Sequence, residues 1–171
     1  SQCYFKQTDR GLRIKTRRGR GESAIIDGIT FENVYMEDVL TPLVMNMYYY
    51  CDNDGKTEYV WSKEKHVVDE RTPYLGSFKF KDMVCKNVHV AAGFFYGLPE
   101  QPIQSIELEN ISFTYADEPV EGIPAMMSFL DPMSGEGLQF RYVNEVSLKN
   151  VTLDAPKGEP IVLENVVTFH K

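Results

Sequence analysis

The pattern apolar-x-x-apolar-x-apolar-x-Asn-apolar-x-apolar recurs along the chain, and few architectures can accommodate it. It reads Ile26-Asp27-Gly28-Ile29-Thr30-Phe31-Glu32-Asn33-Val34-Tyr35-Met36, then Ile103 to Phe113 with its Asn at 110, then Val143 to Leu153 with its Asn at 150. A weaker copy, Leu75 to Cys85, carries Asp82 at that position, and a truncated one, Ile161 to Val166, carries Asn165. Each copy is two period-two strands rich in Val, Ile, Phe and Thr, hinged at a residue that tolerates the left-handed backbone region. Sequence positions 33, 82, 110, 150 and 165 are 49, 28, 40 and 15 residues apart, so one side of each unit stays constant while insertions accumulate elsewhere, as in a solenoid. A sandwich would separate its strands by turn clusters every 8–12 residues or so. No segment shows a capped 3.6-residue apolar stripe. The expectation is an all-β fold, a partial right-handed parallel β-helix of about five or six coils, with the Asn side chains stacked in a hydrogen-bonded ladder. On that ladder the sequons at Asn110 and Asn150 read as structural and unglycosylated.

At 171 residues with 43% hydrophobic content the chain suits one domain, residues 1–171. Two polar excursions interrupt the repeat, roughly 48–73, with the single Trp61, and roughly 116–139. No apolar run is long enough to cross a bilayer and no secretory signal layout opens the sequence, so no membrane partner is expected, and these residues leave localisation open between cytoplasm and export. Cys3, Cys51 and Cys85 are odd in number and lack metal-ligand spacing, and read as buried apolar residues rather than disulfides or a zinc site. Asp52-Asn53-Asp54-Gly55 has Tyr50 where a calcium loop needs its first ligand and reads as a turn. No cofactor and no metal is expected.

The formal charge is -7, yet residues 1–21 carry seven Lys or Arg against one Asp. Arg10, Arg13, Lys15, Arg17, Arg18 and Arg20 fall within eleven residues, while the other 150 residues carry eleven basic against 24 acidic groups. Nucleic-acid binding is disfavoured, because no aromatic platform lies in the basic segment and the remaining chain is acidic. Arg13 and Lys15 are two apart, which on a strand puts both on one face, where a planar guanidinium and a point-charge ammonium can together hold a carboxylate.

Arg10-Gly11-Leu12-Arg13-Ile14-Lys15-Thr16, followed by Ile29-Thr30-Phe31-Glu32-Asn33-Val34 and by Val44-Met45-Asn46-Met47-Tyr48-Tyr49, resembles the C-terminal part of glycoside hydrolase family 28, the polygalacturonase family of pectin lyase-like β-helices. Asp69 to Pro73 and Ala92 to Glu100 are similar to segments of its bacterial exo-acting or oligosaccharide-trimming branch. The resemblance implies inverting hydrolysis of α-1,4-linked galacturonate in pectin. It also implies that Arg13 and Lys15 bind the substrate carboxylate, with Tyr48 as a substrate-contacting tyrosine and Asn46 its neighbour; the register of Tyr48 against Tyr49 and Tyr50 stays open. Arg10, Arg17, Arg18 and Arg20 then supply a general positive field for a polyanion.

The family's Asn-Thr-Asp, Asp-Asp and Gly-His-Gly strings are absent from residues 1–171, and Asp9 is the sole carboxylate before Arg13. Inversion needs one carboxylic acid and one water-activating carboxylate about 6.5–9.5 Å apart. No catalytic residue is therefore assigned, and the chain is expected to be inactive alone. The alternative is a non-catalytic galacturonide-binding or structural module. The expected partner is an acidic polysaccharide or oligogalacturonide, and a homo-oligomer or a further β-helix segment is expected to cover the first coil near residues 1–35.

Overall fold

The computed structural model of the protein describes residues 2–171. Its strands are β1 (Cys3–Lys6), β2 (Arg10–Lys15), β3 (Ile25–Ile26), β4 (Ile29–Glu37), β5 (Thr41–Asn46), β6 (Tyr74–Leu75), β7 (Ser77–Val88), β8 (Ala91–Tyr96), β9 (Ile103–Tyr115), β10 (Glu136–Asp154) and β11 (Ile161–His170). Helical structure among the described residues is one α-turn, α1 (Glu58–Trp61), and two short 3-10 turns. All pairings between these strands are parallel. The chain winds as a parallel β-helix. One face stacks β2, β5, β8, the first part of β10 and the first part of β11. The second stacks β1, β4, β7, β9 and the remainders of β10 and β11, and β3 pairs with β6 on a short third side.

Four copies of the repeat stack in register, residue on residue. Ile29, Phe78, Ile106 and Val146 form one interior row, and Phe31, Phe80, Leu108 and Leu148 the next. Past the hinge come Val34, Met83, Ile111 and Val151, then Met36, Cys85, Phe113 and Leu153. On the first face Ile14, Met45, Phe95 and Phe140 point inward, with the last two rings stacked at 4.8 Å and 4° between planes. Each fully buried ring removes enough apolar area to contribute about 1.5–3 kcal/mol, so the core is a set of ladders running along the winding axis.

The hinge residues Asn33, Asp82, Asn110 and Asn150 have φ of 57°, 53°, 54° and 52°. Asn150 Nδ2 donates to Asn110 Oδ1 at 3.0 Å, and Asn110 Nδ2 to Asp82 Oδ1 at 2.9 Å. A second ladder, unforeseen from the repeat, lies at the next corner: Gln7, Asp38 and Asn87 also have positive φ, and Asn87 Nδ2 donates to Asp38 Oδ1 at 3.0 Å. The truncated copy is out of phase. Ile161 pairs with Leu138, and Val166 with Val143, which places Asn165 beside Tyr142 at a different corner rather than on the first ladder. A single left-handed residue serves either corner equally well, so the local motif did not fix the phase.

The excursions occupy residues 47–73 and 116–135. The second is shorter than expected, because Glu136, Leu138 and Gln139 already pair with β8. Of the cysteines only Cys85 is buried; Cys51 is half-buried and Cys3 exposed. No helix is long and apolar enough to cross a membrane.

Candidate functional site

Strand alternation in β2 turns Ile14 into the core and leaves Arg13 exposed and Lys15 half-buried on the outer surface. Arg13 stands beside Val44 of β5, and Lys15 beside Asn46. The Arg13 guanidinium lies 3.3 Å from Met126 Sδ and borders an open hollow of about 600 Å³ with Asp9, Arg10 and Gly11. Lys15 Nζ donates to Tyr49 Oη at 2.7 Å and borders a second hollow of about 390 Å³ that reaches Arg20 and Ile26. Two outward cations side by side on one strand can hold the two oxygens of a carboxylate.

Tyr48 and Asn46 are covered: both are fully buried, Asn46 in register with Lys15 on the same row, so neither is exposed beside Arg13 and Lys15. The Asn46 carboxamide accepts a hydrogen bond from the Tyr48 N–H at 3.1 Å across the bend that follows β5. Tyr49 takes the place beside Lys15, and Tyr48 packs edge-on against Tyr96, ring centres 5.1 Å apart, under the Lys63 ammonium. Burial first, then the nearby Tyr96, pushes the Tyr48 hydroxyl well above its ordinary value, and neither it nor the Asn46 amide nitrogen has a hydrogen-bond partner among the described residues.

The remaining arginines do not form a solvated field. Arg18 is 1% exposed and grips Glu100, equally buried, through Nε at 2.6 Å and Nη2 at 2.9 Å. It also donates to the carbonyls of Tyr59, Ser62 and Glu64 at 3.2, 2.7 and 3.1 Å. Arg17, also buried, forks onto both Asp54 oxygens at 2.8 Å and reaches the Cys51 carbonyl, so the Asp52–Gly55 turn holds a guanidinium where a calcium loop would hold an ion. Arg20 meets Asp52 at 3.3 Å. Arg10 donates to the carbonyls of Pro124 and Ile123 at 3.1 and 2.6 Å. The cation run is thus a set of anchors binding both excursions to the first coil. Burial alone would raise the Glu100 carboxyl, but hydrogen bonds and charge from Arg18 hold it below its ordinary value. Sequence alone could not reveal this, because Glu100 is 82 residues from Arg18. Among the described residues no cluster of His, Cys, Asp and Glu is placed to hold a metal.

Residues 1–66 match the model of glycosyl hydrolases family 28. Over 117 residues the chain is 26% identical to a polygalacturonase of Prunus persica, an alignment that takes in 68% of this chain and 27% of that protein. No solved structure matches the chain significantly. The basic strand β2 lies inside the matched segment, and the chain is similar there to glycosyl hydrolases family 28, while it spans about a quarter of the length of the polygalacturonase it matches.

Proposed function

We propose that this chain is the substrate-orienting portion of a pectin-degrading glycoside hydrolase, in which Arg13 and Lys15 clasp the carboxylate of a galacturonate unit and Tyr49, rather than Tyr48, completes the contact. The observation that carries the reading is the shared outward placement of Arg13 and Lys15 on β2, with the other arginines of the run committed to internal partners. Among the described residues Arg13 alone of those arginines has no carboxylate or carbonyl partner, which leaves its fork available to a ligand. The ligand class is an acidic polysaccharide or oligogalacturonide.

The polypeptide 1–171 on its own does not hydrolyse that substrate. Among the described residues Asp9 is the only carboxylate bordering either hollow beside Arg13 and Lys15, whereas inversion requires two. General acid–base groups typically contribute about 10²–10⁴-fold each, so orientation without them leaves most of the barrier in place. The test is calorimetric titration with oligogalacturonate beside a reducing-sugar assay. Binding should weaken at least tenfold in Arg13→Ala while sugar release stays at the blank. Unchanged binding in Arg13→Ala would refute the clasp, and release abolished by Asp9→Asn would refute the inactivity.

A further inference from the structure

The chain holds seven methionines. Met36, Met45, Met47, Met83 and Met127 are buried, whereas Met126 and Met133 are half-buried. Met133 pairs with Gly122 inside the second excursion. Met126 faces the basic strand: its Sδ lies 3.3 Å from Arg13 Nη1, and it borders the hollow of about 600 Å³ that Arg13 also lines. It is no loose surface side chain. The Arg10 guanidinium ties the carbonyls of Ile123 and Pro124 just before it. Ala125 and Met127 on either side are 1% and 3% exposed, and Met127 bridges to Tyr49, whose hydroxyl meets Lys15. The backbone is thus held on both flanks while the thioether stands against the Arg13 fork.

A thioether sulfur is a weak acceptor, so it touches the guanidinium without satisfying it. Oxidation changes that. Hydrogen peroxide reaching the hollow transfers one oxygen to the Met126 sulfur: a sulfur lone pair forms the S–O bond, the O–O bond breaks, and the proton of the transferred oxygen moves to the leaving one, which departs as water. The sulfur is oxidised by two electrons and the peroxide reduced by two. The sulfoxide oxygen is polar and strongly accepting, and it sits on an atom already beside Arg13 Nη1. Hydrogen bonds from a charged donor are roughly twice as strong as neutral ones. The flexible methionine side chain lets the new oxygen settle on the fork, in the space where a ligand carboxylate would lie.

We propose that Met126 is a reversible oxidation site that latches Arg13: its sulfoxide captures the guanidinium that the thioether leaves free, and reduction of the sulfoxide releases it. The loss of ligand binding on oxidation rests on the carboxylate clasp proposed above; the capture of the fork does not. Arg10, Arg17, Arg18 and Arg20 are already held by carbonyls or carboxylates, so Arg13 is the guanidinium of that run whose freedom the sulfoxide changes.

Peptide mass spectrometry of the folded protein after hydrogen peroxide should find Met126 oxidised while the five buried methionines stay reduced. Phenylglyoxal, which modifies accessible guanidinium groups, reads the fork directly. Peroxide should slow its labelling of Arg13 at least fivefold in the unmodified chain and in Met133→Leu, and leave the rate unchanged in Met126→Leu, a swap of similar volume. Methionine sulfoxide reductase should restore the original rate. Oligogalacturonate affinity, measured by calorimetry, should fall at least fivefold on oxidation and return with reduction. Met126 left reduced in the folded chain overturns the latch, as does an oxidised Met126 with Arg13 labelling unchanged, or equal slowing in Met126→Leu. Slowed labelling in a chain that never binds oligogalacturonate removes the clasp and leaves the latch standing; binding that persists while Arg13 is captured does the same.

Discussion

Replacing Arg18 with alanine leaves the Glu100 carboxylate buried at 1% exposure with its counter-ion gone, and three loop carbonyls without their donor. Removing one partner of a buried ion pair costs about 3–5 kcal/mol, a large share of the roughly 5–15 kcal/mol that holds a domain of this kind folded. For a chain of this length each kcal/mol moves the midpoint about 2–4 °C, so Arg18→Ala should melt about 6–20 °C lower. Calorimetry and urea unfolding measure the loss, and Trp61 emission should shift to the red as the first excursion lifts. The pH response should also change sign. With Arg18 present, Glu100 titrates below its ordinary value, so its stabilisation is complete above the unfolded-state value near 4.3 and fades as pH falls through the folded one. Without Arg18 burial dominates, the folded-state value rises above the unfolded one, and acidification from pH 7 toward 5 should restore stability. The double variant Arg18→Met with Glu100→Leu should recover at least half the loss, because most of it is the cost of an unpaired charge rather than the worth of the pair. A loss under about 1 kcal/mol in Arg18→Ala, with the Trp61 emission unmoved, would refute the anchor.

The hinge ladder makes a graded prediction: Asn110→Ala should cost about 2 kcal/mol in urea unfolding, since alanine is strained at a φ of 54° and two ladder bonds are lost. Asn110→Gly should cost less than half as much, and equal losses would show that the side-chain bonds alone matter. Burial pushes the Cys85 thiol up to about 12, so a thiol reagent at pH 8 should label Cys3 readily and Cys51 more slowly, and reach Cys85 only on unfolding; rapid labelling of all three in the folded protein would contradict the interior row.

The winding was legible because its signal is local and repeated. Ile26 and Ile29, Ile103 and Ile106, Val143 and Val146 keep their spacing whatever lies between copies, and an Asn or Asp at the bend is a backbone requirement written in one residue. The same locality explains the misplaced Asn165: a left-handed residue announces a corner but not which corner. The cation run misled for the opposite reason. Arg13 and Lys15 could be placed on one face from their spacing alone, whereas the roles of Arg17 and Arg18 depend on Asp54 and Glu100, which only the folded winding brings near. The register among Tyr48, Tyr49 and Tyr50 stayed open in the sequence because the chain bends after Asn46, and it is Tyr49 whose hydroxyl meets Lys15.

β10 is one continuous strand of 19 residues that turns the corner at Tyr142, φ 52°, and serves both faces, pairing with β8 by its first part and with β9 by its second. Solenoids can open coil by coil, since each unit touches only its neighbours. At β10 a crack cannot run along one face alone without bending a strand that the other face still holds. The two faces are therefore coupled there into one opening event, and amide exchange along Phe140–Leu148 should be the slowest in the molecule and uniform on both sides of the corner. A winding otherwise divisible into separable coils carries, in that strand, its own unit of cooperativity.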